Sequence, residues 1–533
     1  RPEAPLVRTL PTASAWFGDQ ESQAAPCILF TNDRYTETLV EGQLGQERTR
    51  MRWRLAAAHD NELFADYAVD WQFHTGGVVL QPGEALDLEP LYYEILAATH
   101  PQDALDGYFR EVTARNRLAQ EGNILHRRAF YCSWNYGIMQ DISEDSLLRT
   151  ARCIRKELPG IRHFLIDGGW QSQEAVATPD CSNFYLPEAE RCHRARFPNG
   201  MKAMADKLRA LGLAPALWWT PSVNLASKLA RENPGWLAKD ADGAPYRLGN
   251  SGYLDYSLPP VQEYFNHIFT VIFREWGYEA MKMDFWSQSV ESSRIRFHTG
   301  TGVQWRDWLL GTIRGYLPAD GFLMTCVATA MGNPFLGKSA HTYRNCIDVG
   351  HYGHWGEHVY ASCWVQGVLA FPGRRIGLLN VDGLGVSGRV SDAENLHRLT
   401  YGFITMGSLE IDGRIEELKP RHVEWLRRLT TDIDRGYPVR TLDEEAFTGA
   451  PFARVLMVDY PDDSPTRRRG VRKHLALLNW HERPRMVGVT LEQLGLKGPV
   501  NAREFWTDEQ IPIGPPGLAL CLPGHGAKLL EIR

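Results

Sequence analysis

The stretch Ala280-Met-Lys-Met-Asp-Phe-Trp286 constrains the fold more than any other part of the chain. It reads as a short buried strand with charge where a strand core has none. Alternate strand residues share a face, so the pattern sets Lys282, Asp284 and Trp286 on one side and Met281, Met283 and Phe285 on the other. The methionine face calls for an apolar layer. The other face puts a carboxylate and an ammonium two residues apart, beside a large aromatic. Ionised side chains stay in a core only when paired or used. Two readings are open: an internal Lys–Asp ion pair, or a catalytic carboxylate at the carboxyl end of a barrel strand with an aromatic platform beside it.

The surroundings favour the barrel. Ala129 to Asn135 reads as an apolar strand. Ser143 is a helix N-cap candidate followed by acidic Glu144 and Asp145, and Leu147, Leu148, Ala151 and Ile154 recur at helical spacing until Pro159-Gly160. Strands follow at His163–Asp167 and Pro215–Trp219, then 280–286, 322–327, 345–349, 375–381 and near 407–411. Helices are expected at Met201–Leu211, Val261–Trp276 and Pro420–Asp434. Eight strands with intervening helices over about 300 residues match a (β/α)₈ barrel. A doubly wound sheet is the alternative, but no Gly-x-Gly-x-x-Gly follows the first strand.

Residues 1–122 look β-rich, with strand-like runs at 25–30, 50–56, 66–73, 77–80 and 86–97, a tight turn at Gln81–Glu84 and a linking helix at Ala104–Ala119. After 435 the chain turns β-like again, with strands at Arg454–Val458 and His474–Asn479. The expectation is therefore α/β: an N-terminal β-sandwich over 1–122, a (β/α)₈ TIM barrel over 123–434 and a small C-terminal β-sandwich over 435–533. Arg467-Arg468-Arg469 reads as a solvated loop.

Composition narrows the partners. A net charge of −6 argues against nucleic acid or an anionic membrane, and no apolar run is long enough to span a bilayer. Seventeen tryptophans suit a protein that stacks on flat ligand faces such as sugars. The nine cysteines are scattered and show no zinc spacing, so free thiols are expected, with a Cys181–Cys192 bridge left open. No signal peptide is visible ahead of Arg1, which leans toward a cytoplasmic protein with amino-terminal processing left open.

Barrel sites lie at the carboxyl ends of the strands. There the sequence offers Trp134 and Asn135; Asp167, Gly168, Gly169 and Trp170; Trp218, Trp219 and Thr220; Lys282, Asp284 and Trp286; Thr325 and Cys326; Arg344, Cys346 and Asp348; and Asn380 and Asp382. The set is acidic and aromatic, with neither a phosphate loop nor a defensible Ser-His-Asp order. Two carboxylates in a tryptophan-lined pocket suit glycosidic bond cleavage, one as nucleophile and one as proton donor. Each residue alone could be structural; the combination is harder to explain as packing. His351, His354 and His358 crowd together, but two glycines separate them and they follow the candidate acid. A substrate-contacting loop is the better reading, and neither metal nor cofactor is expected.

These residues carry a resemblance. Phe164-Leu-Ile-Asp-Gly-Gly-Trp170, Arg196-Phe-Pro-Asn-Gly-Met201, Met281-Lys-Met-Asp284 and Arg344-Asn-Cys-Ile-Asp348 occur in the order of similar segments in the α-galactosidase group of retaining glycosidases, glycoside hydrolase family 36 and its relative family 27. The resemblance covers about residues 125 to 430 and agrees with the three-part layout. It implies Asp284 as nucleophile and Asp348 as general acid/base. It implies sugar contacts from Asp167, Lys282 and Arg344, pocket walls from Trp134 and Trp219, and a cysteine near the sugar at Cys326; Trp170, Trp286 and His351 are added as substrate contacts from their strand-end and loop positions. The family's Asp-Asp-Gly-Trp segment departs here, its second Asp being Gly168, which puts plain galactose specificity in question. The implied activity is retaining hydrolysis of α-galactosides or related α-glycosides in carbohydrate metabolism. A transglycosylase on the same fold is the near alternative. A non-catalytic carbohydrate-binding relative is the distant one, and the presence of both carboxylates argues against it. For the chemistry to run, Asp348 should hold a proton through a raised pKa while Asp284 stays ionised.

Overall fold

The structure is a computed structural model that describes residues 6–9, 27–31, 37–60, 64–74, 80–97, 100–116, 118, 123–172, 180–287, 294–326, 333–346, 348, 350–365, 371–431, 434–443 and 452–533. Its centre is an eight-stranded parallel sheet. In chain order the strands are Ala129–Cys132, Ile161–Ile166, Ala214–Trp219, Ala280–Met283, Leu323–Thr325, Thr342–Arg344, Leu378–Asn380 and Glu410–Asp412, and the first seven pair one after another in sequence order. The eighth pairs with the first, Glu410 opposite Phe130. A parallel bridge between Leu384 and Ile411, with bonds from Gly407 N and Ser408 N to Leu379 O, draws the seventh strand to the eighth. The sheet therefore wraps into a barrel, and the open doubly wound alternative is set aside.

Inward positions alternate with outward ones along every strand. Phe130, Cys132, Leu165, Ala216, Trp218, Ala280, Met324 and Leu378 fill the interior. Tyr131, Phe164, Ile166, Leu217, Trp219, Met281, Met283, Leu323 and Tyr343 face out and merge with the surrounding helices. The helix Glu144–Glu157 begins as its sequence dictates, with Ser143 and Ser146 bonding reciprocally across the first turn. Gly200–Ala210, Pro259–Phe269, Gly302–Tyr316, Trp355–Val365, Asp392–Thr405 and Pro420–Thr431 complete the layer.

Two strand positions differ from expectation. The sixth strand is Thr342–Arg344, ahead of the expected 345–349, of which 347 and 349 lie outside the described residues, and the segment expected to begin the seventh is the helical turn Gly373–Ile376. Short parallel strands lack the turn punctuation that fixes hairpin ends, so their bounds are poorly marked in sequence. The barrel also carries an insertion after its third strand, a small antiparallel sheet of Ser222–Asn224, Ser251–Tyr253 and Arg247–Leu248.

Before the barrel lie a four-stranded antiparallel sheet (Leu6–Thr9, Cys27–Thr31, Glu37–Gln43, Leu91–Ala97), the hairpin Arg50–Asp60/Phe64–His74 and the helix Pro101–Asn116. The expected turn forms, Glu84 N donating to Gln81 O at 3.0 Å. Of the strand expected at 77–80, residues 77–79 lie outside the described residues, and Leu80 is exposed and outside any strand. After the barrel a six-stranded antiparallel sheet and the pair Arg485–Thr490/Gly517–Leu522 enclose a separate apolar core. Arg467 and Arg468 lie in a helical turn capped by Ser464 rather than in a loop. Cys181 and Cys192 are free and buried. Among the described residues no helix is long and apolar enough to cross a membrane.

Candidate active site

Charge collects at the carboxyl end of the barrel because inward positions there carry polar side chains above an apolar floor. Two networks result. On the side of the first four strands, Lys282 Nζ lies 2.8 Å from Asp167 Oδ2, both side chains only 3% exposed. Asp167 is further held by the Cys132 thiol at 3.1 Å and by Gly168 N at 2.7 Å, and its own N–H donates to Ser133 Oγ. Burial alone would lower the Lys282 pKa; the Asp167 charge outweighs it and keeps the ammonium well above its ordinary value. The internal ion pair that the sequence left open thus exists, with Asp167 rather than Asp284.

Asp284 stands just past the fourth strand, 8% exposed. Its oxygens accept from Trp218 Nε1 at 3.1 Å and from Phe285 N at 2.8 Å. Burial pushes its pKa to about 6, with the Asp348 charge adding and the Lys282 charge opposing. Tyr253 of the inserted sheet lies near enough to feel this charge: burial, then Tyr246 and Asp284, push its hydroxyl up.

On the opposite side Arg344, fully buried, bridges two carboxylates. Its Nη1 lies 2.8 Å from Asp382 Oδ1 and its Nη2 pairs with Asp348 Oδ1. Asp348 Oδ2 lies 3.2 Å from His351 Nε2. Burial would raise Asp348, but the Arg344 charge and the His351 contact outweigh it and hold the carboxyl well below the usual range. The sequence expectation of a raised pKa at Asp348 is therefore reversed. An arginine four residues before a carboxylate can be read as a sugar ligand; the structure turns it directly onto the carboxylate instead. Side chains at Asp348 and His351 are about a quarter exposed, so the site opens to solvent here and closes around Asp284.

The indoles divide. Trp134 is half-buried against the barrel interior, and its ring lies 5.9 Å from that of His351, edge-on. Trp170, Trp219 and Trp286 do not line the site. Trp170 packs on Phe184 and Trp276 and donates to Trp218 O. Trp219 packs on Phe265 and Phe269, and Trp286 donates to Cys326 O with its ring in the helix layer. Two physical causes explain the corrections. In the third strand both faces are apolar, so sequence alternation is silent; pairing Lys282 with Trp218, and Met283 with Trp219, decides which indole points in. Beyond the fourth strand, Phe285 has φ +49°, a left-handed conformation that ends the alternation. Phe285 therefore joins Trp218, ring centroids 6.4 Å apart, and Trp286 turns out.

Cys326 is buried near Asp284, Lys282 and Arg344, and burial keeps its thiol protonated. Sequence reasoning missed Glu410 and Asp412 on the eighth strand, although Glu-Ile-Asp repeats the charged–apolar–charged signature of Lys282-Met-Asp284. Asn135 Nδ2 donates to Asp412 at 2.6 Å and Asn380 Nδ2 to Glu410 at 3.0 Å. Burial pushes both carboxyls up, Asp412 further because it also faces the charges of Glu410 and Asp382. Cys132, Glu410 and Asp412 offer ligand atoms within 4.8 Å of one another, but burial raises the thiol and both carboxyls, which works against the deprotonated state that a metal needs. The histidine run does not converge. His351 meets Asp348, His354 lies 3.3 Å from Arg389, and His358 is buried among Trp355, His397 and Trp480.

A (β/α)₈ barrel with a ring of strand-end carboxylates defines the class, and comparison with known proteins narrows it. The Melibiase family model matches residues 103–309. The chain is 26% identical over 198 residues to the probable alpha-galactosidase G of Emericella nidulans, covering 35% of this chain and 26% of that one. It is 24% identical over 248 residues to the A type blood alpha-D-galactosamine galactosaminidase of Flavonifractor plautii, covering 42% and 20%. The matches thus span about a quarter or less of these curated relatives. Among solved structures, the GH36 alpha-galactosidase AgaA from Geobacillus stearothermophilus superposes with a TM-score of 0.68 at 15% identity, covering 99% of this chain and 72% of that one. A GH27 β-L-arabinopyranosidase from the same organism gives 0.57 at 17% identity, covering 76% and 96%. The chain is similar to the α-galactosidase group in sequence, and shares the fold of both glycosidase families.

Proposed function

We propose that this chain is a retaining α-glycosidase acting on α-galactosides or related α-glycosides by double displacement. Asp284 is the nucleophile and Asp348 the general acid/base. The observation that carries the reading is the pairing of two differently housed carboxyls at the carboxyl end of one barrel. Asp284 is sequestered beside Trp218 and Phe285; Asp348 stands at the open side and its charge reaches Asp284. Asp284 attacks the anomeric carbon and forms a glycosyl ester. A proton delivered through Asp348 leaves with the aglycone, and water activated by Asp348 then releases the sugar. Lys282 and Asp167 serve sugar hydroxyls and Arg344 holds Asp348 in place, while Trp134, Trp218 and Phe285 give the apolar wall. Cys326 lies at the sugar's edge.

The ligand is a carbohydrate, and the three-part division at 1–122, 123–434 and 435–533 belongs to the same proposal, supported by the separate sheets on either side of the barrel. Gly168 shapes the glycone. A Cβ built there would lie 3.5 Å from Trp134 and 4.0 Å from Trp218, so the place of the group's second Asp is a gap between two indoles. Without that carboxylate, an axial hydroxyl loses a charge-assisted partner worth about 1.5–3 kcal/mol. The preferred glycone is therefore not plain galactose. A screen over nitrophenyl α-glycosides, with NMR of the first-formed anomer, tests the reading. Retention is expected, with carboxyl groups about 5–5.5 Å apart in a substrate complex. Inversion, or no cleavage of any α-glycoside, would sink it.

A further inference from the structure

The acid/base reading meets a difficulty that the geometry itself resolves. Arg344 pairs with one oxygen of Asp348, and His351 Nε2 lies 3.2 Å from the other, within ion-pair reach and a small ring turn away from hydrogen-bond geometry. A carboxylate so held carries no resident proton for a leaving group. The neighbour able to carry one near neutral pH is the imidazole. His351 is also placed by its backbone. Gly137 N donates to His351 O at 2.7 Å and Tyr136 N to Gly350 O at 2.7 Å, tying the loop to the turn after the first strand. The Trp134 ring meets the imidazole edge-on and limits its swing.

Resting on the glycosidase reading above, we propose that His351 is the proton reservoir of this site, a positioning residue that acts through Asp348. In the first displacement the His351 Nε2 proton passes to Asp348 Oδ2 and on to the glycosidic oxygen. That oxygen takes the electron pair of the bond breaking to the anomeric carbon, as an Asp284 oxygen forms the new bond. Imidazole and carboxylate remain. In the second displacement water gives a proton to Asp348, which returns it to His351, while the hydroxide oxygen bonds the anomeric carbon and Asp284 leaves as carboxylate. The cycle restores every proton. The charged groups facing His351 are Asp348 and Asp382, which favour the imidazolium, and Arg344, which opposes it; the Arg398 guanidinium from Asp392–Thr405 reaches the adjoining Gly350. The contact with Asp348 leads, and the imidazole is held above its ordinary pKa.

The test uses the full chain and two readouts. In His351→Gln, kcat/KM on a phenyl α-glycoside should fall about 10–100-fold, as for loss of general acid help. The loss on the 2,4-dinitrophenyl glycoside should be at least about tenfold smaller, because that leaving group needs no proton. The alkaline limb of the pH profile should move. Equal losses on both substrates, or an unmoved limb, overturn the proposal. Independently of activity, ¹⁵N NMR of the histidines should show His351 titrating above about 6.5 in the wild type and falling toward it in Asp348→Asn. Cleavage with His351 titrating at or below that value overturns the relay alone. The expected titration with no α-glycoside cleaved overturns the glycosidase reading, and the relay with it.

Discussion

The two sides of the barrel mouth treat their carboxyls in opposite ways. Around Asp284 the direct partners are neutral donors, the Trp218 indole and the Phe285 amide, and burial outweighs the opposing Lys282 charge, so the pKa rises to about 6. Around Asp348 the partners are the Arg344 guanidinium and the His351 imidazole, and the pKa falls although the carboxyl is largely withdrawn from solvent. Lys282 does not do for Asp284 what Arg344 does for Asp348, because its ammonium is committed to Asp167. A buried carboxyl's protonation thus follows the charge in direct contact rather than the depth at which it sits.

The largest break in this comparison is Asp284→Gly. Removing the nucleophile should lower turnover by at least about 10⁴-fold, comparable to loss of a key catalytic group, with azide restoring it as a glycosyl azide. Steady-state rates with and without azide check this, and unaided activity near wild type would move the nucleophile elsewhere. Next in size, Lys282→Ala strands Asp167 as a buried unpaired charge, a loss of about 3–5 kcal/mol readable in urea denaturation. The same change removes a charge that lowers Asp284, so the acid limb should move up. A smaller shift is expected from Gly168→Asp, whose Cβ would meet Trp134 and Trp218 only at ordinary contact distance. Relative activity on α-galactosides should rise about tenfold, the equivalent of about 1.4 kcal/mol, and fall on the native glycone.

The mildest tests concern pH. Asp284 attacks only when ionised, so kcat/KM should fall as pH drops through about 6. Trp218→Phe deletes a donor to the ionised form and should push that limb higher, by about one to two units, since one hydrogen bond to a charged group is worth about 1.5–3 kcal/mol. A limb that moves lower would deny the Trp218 contact its role. Stability has its own acid limit. Burial lowers His397 to about 3, against about 6.5 unfolded. The fold is therefore unaffected by this group above about 6.5, and loses stability as pH falls from there toward about 3 and the unfolded chain alone takes up the proton. Thermal melts across that range should show the loss shrinking in His397→Phe.

Much of this was legible in the chain. Alternating charge in Lys282-Met-Asp284 marked a strand whose inner face is put to use, and Arg344 and Asp348 were found as residues sharing one face of the expected sixth strand. The Ser143 cap, the helical spacing after it and the repeated strand–helix texture set the barrel. Glu410 and Asp412 were legible too, by the same alternation, and went unread. The choice between Trp218 and Trp219 could not be read, because a strand buried on both faces has no polar alternation and its facing is fixed by register with the next strand. Nor could the exchange of Trp286 for Phe285, which turns on one positive φ. The sequence by itself determined the eightfold strand–helix order and the carboxylates at its strand ends, since periodicity and residue type are local properties. Only the tertiary structure decided which aromatics enclose those carboxylates and which of the two has its pKa raised and which lowered, since facing and pKa depend on partners distant in the chain.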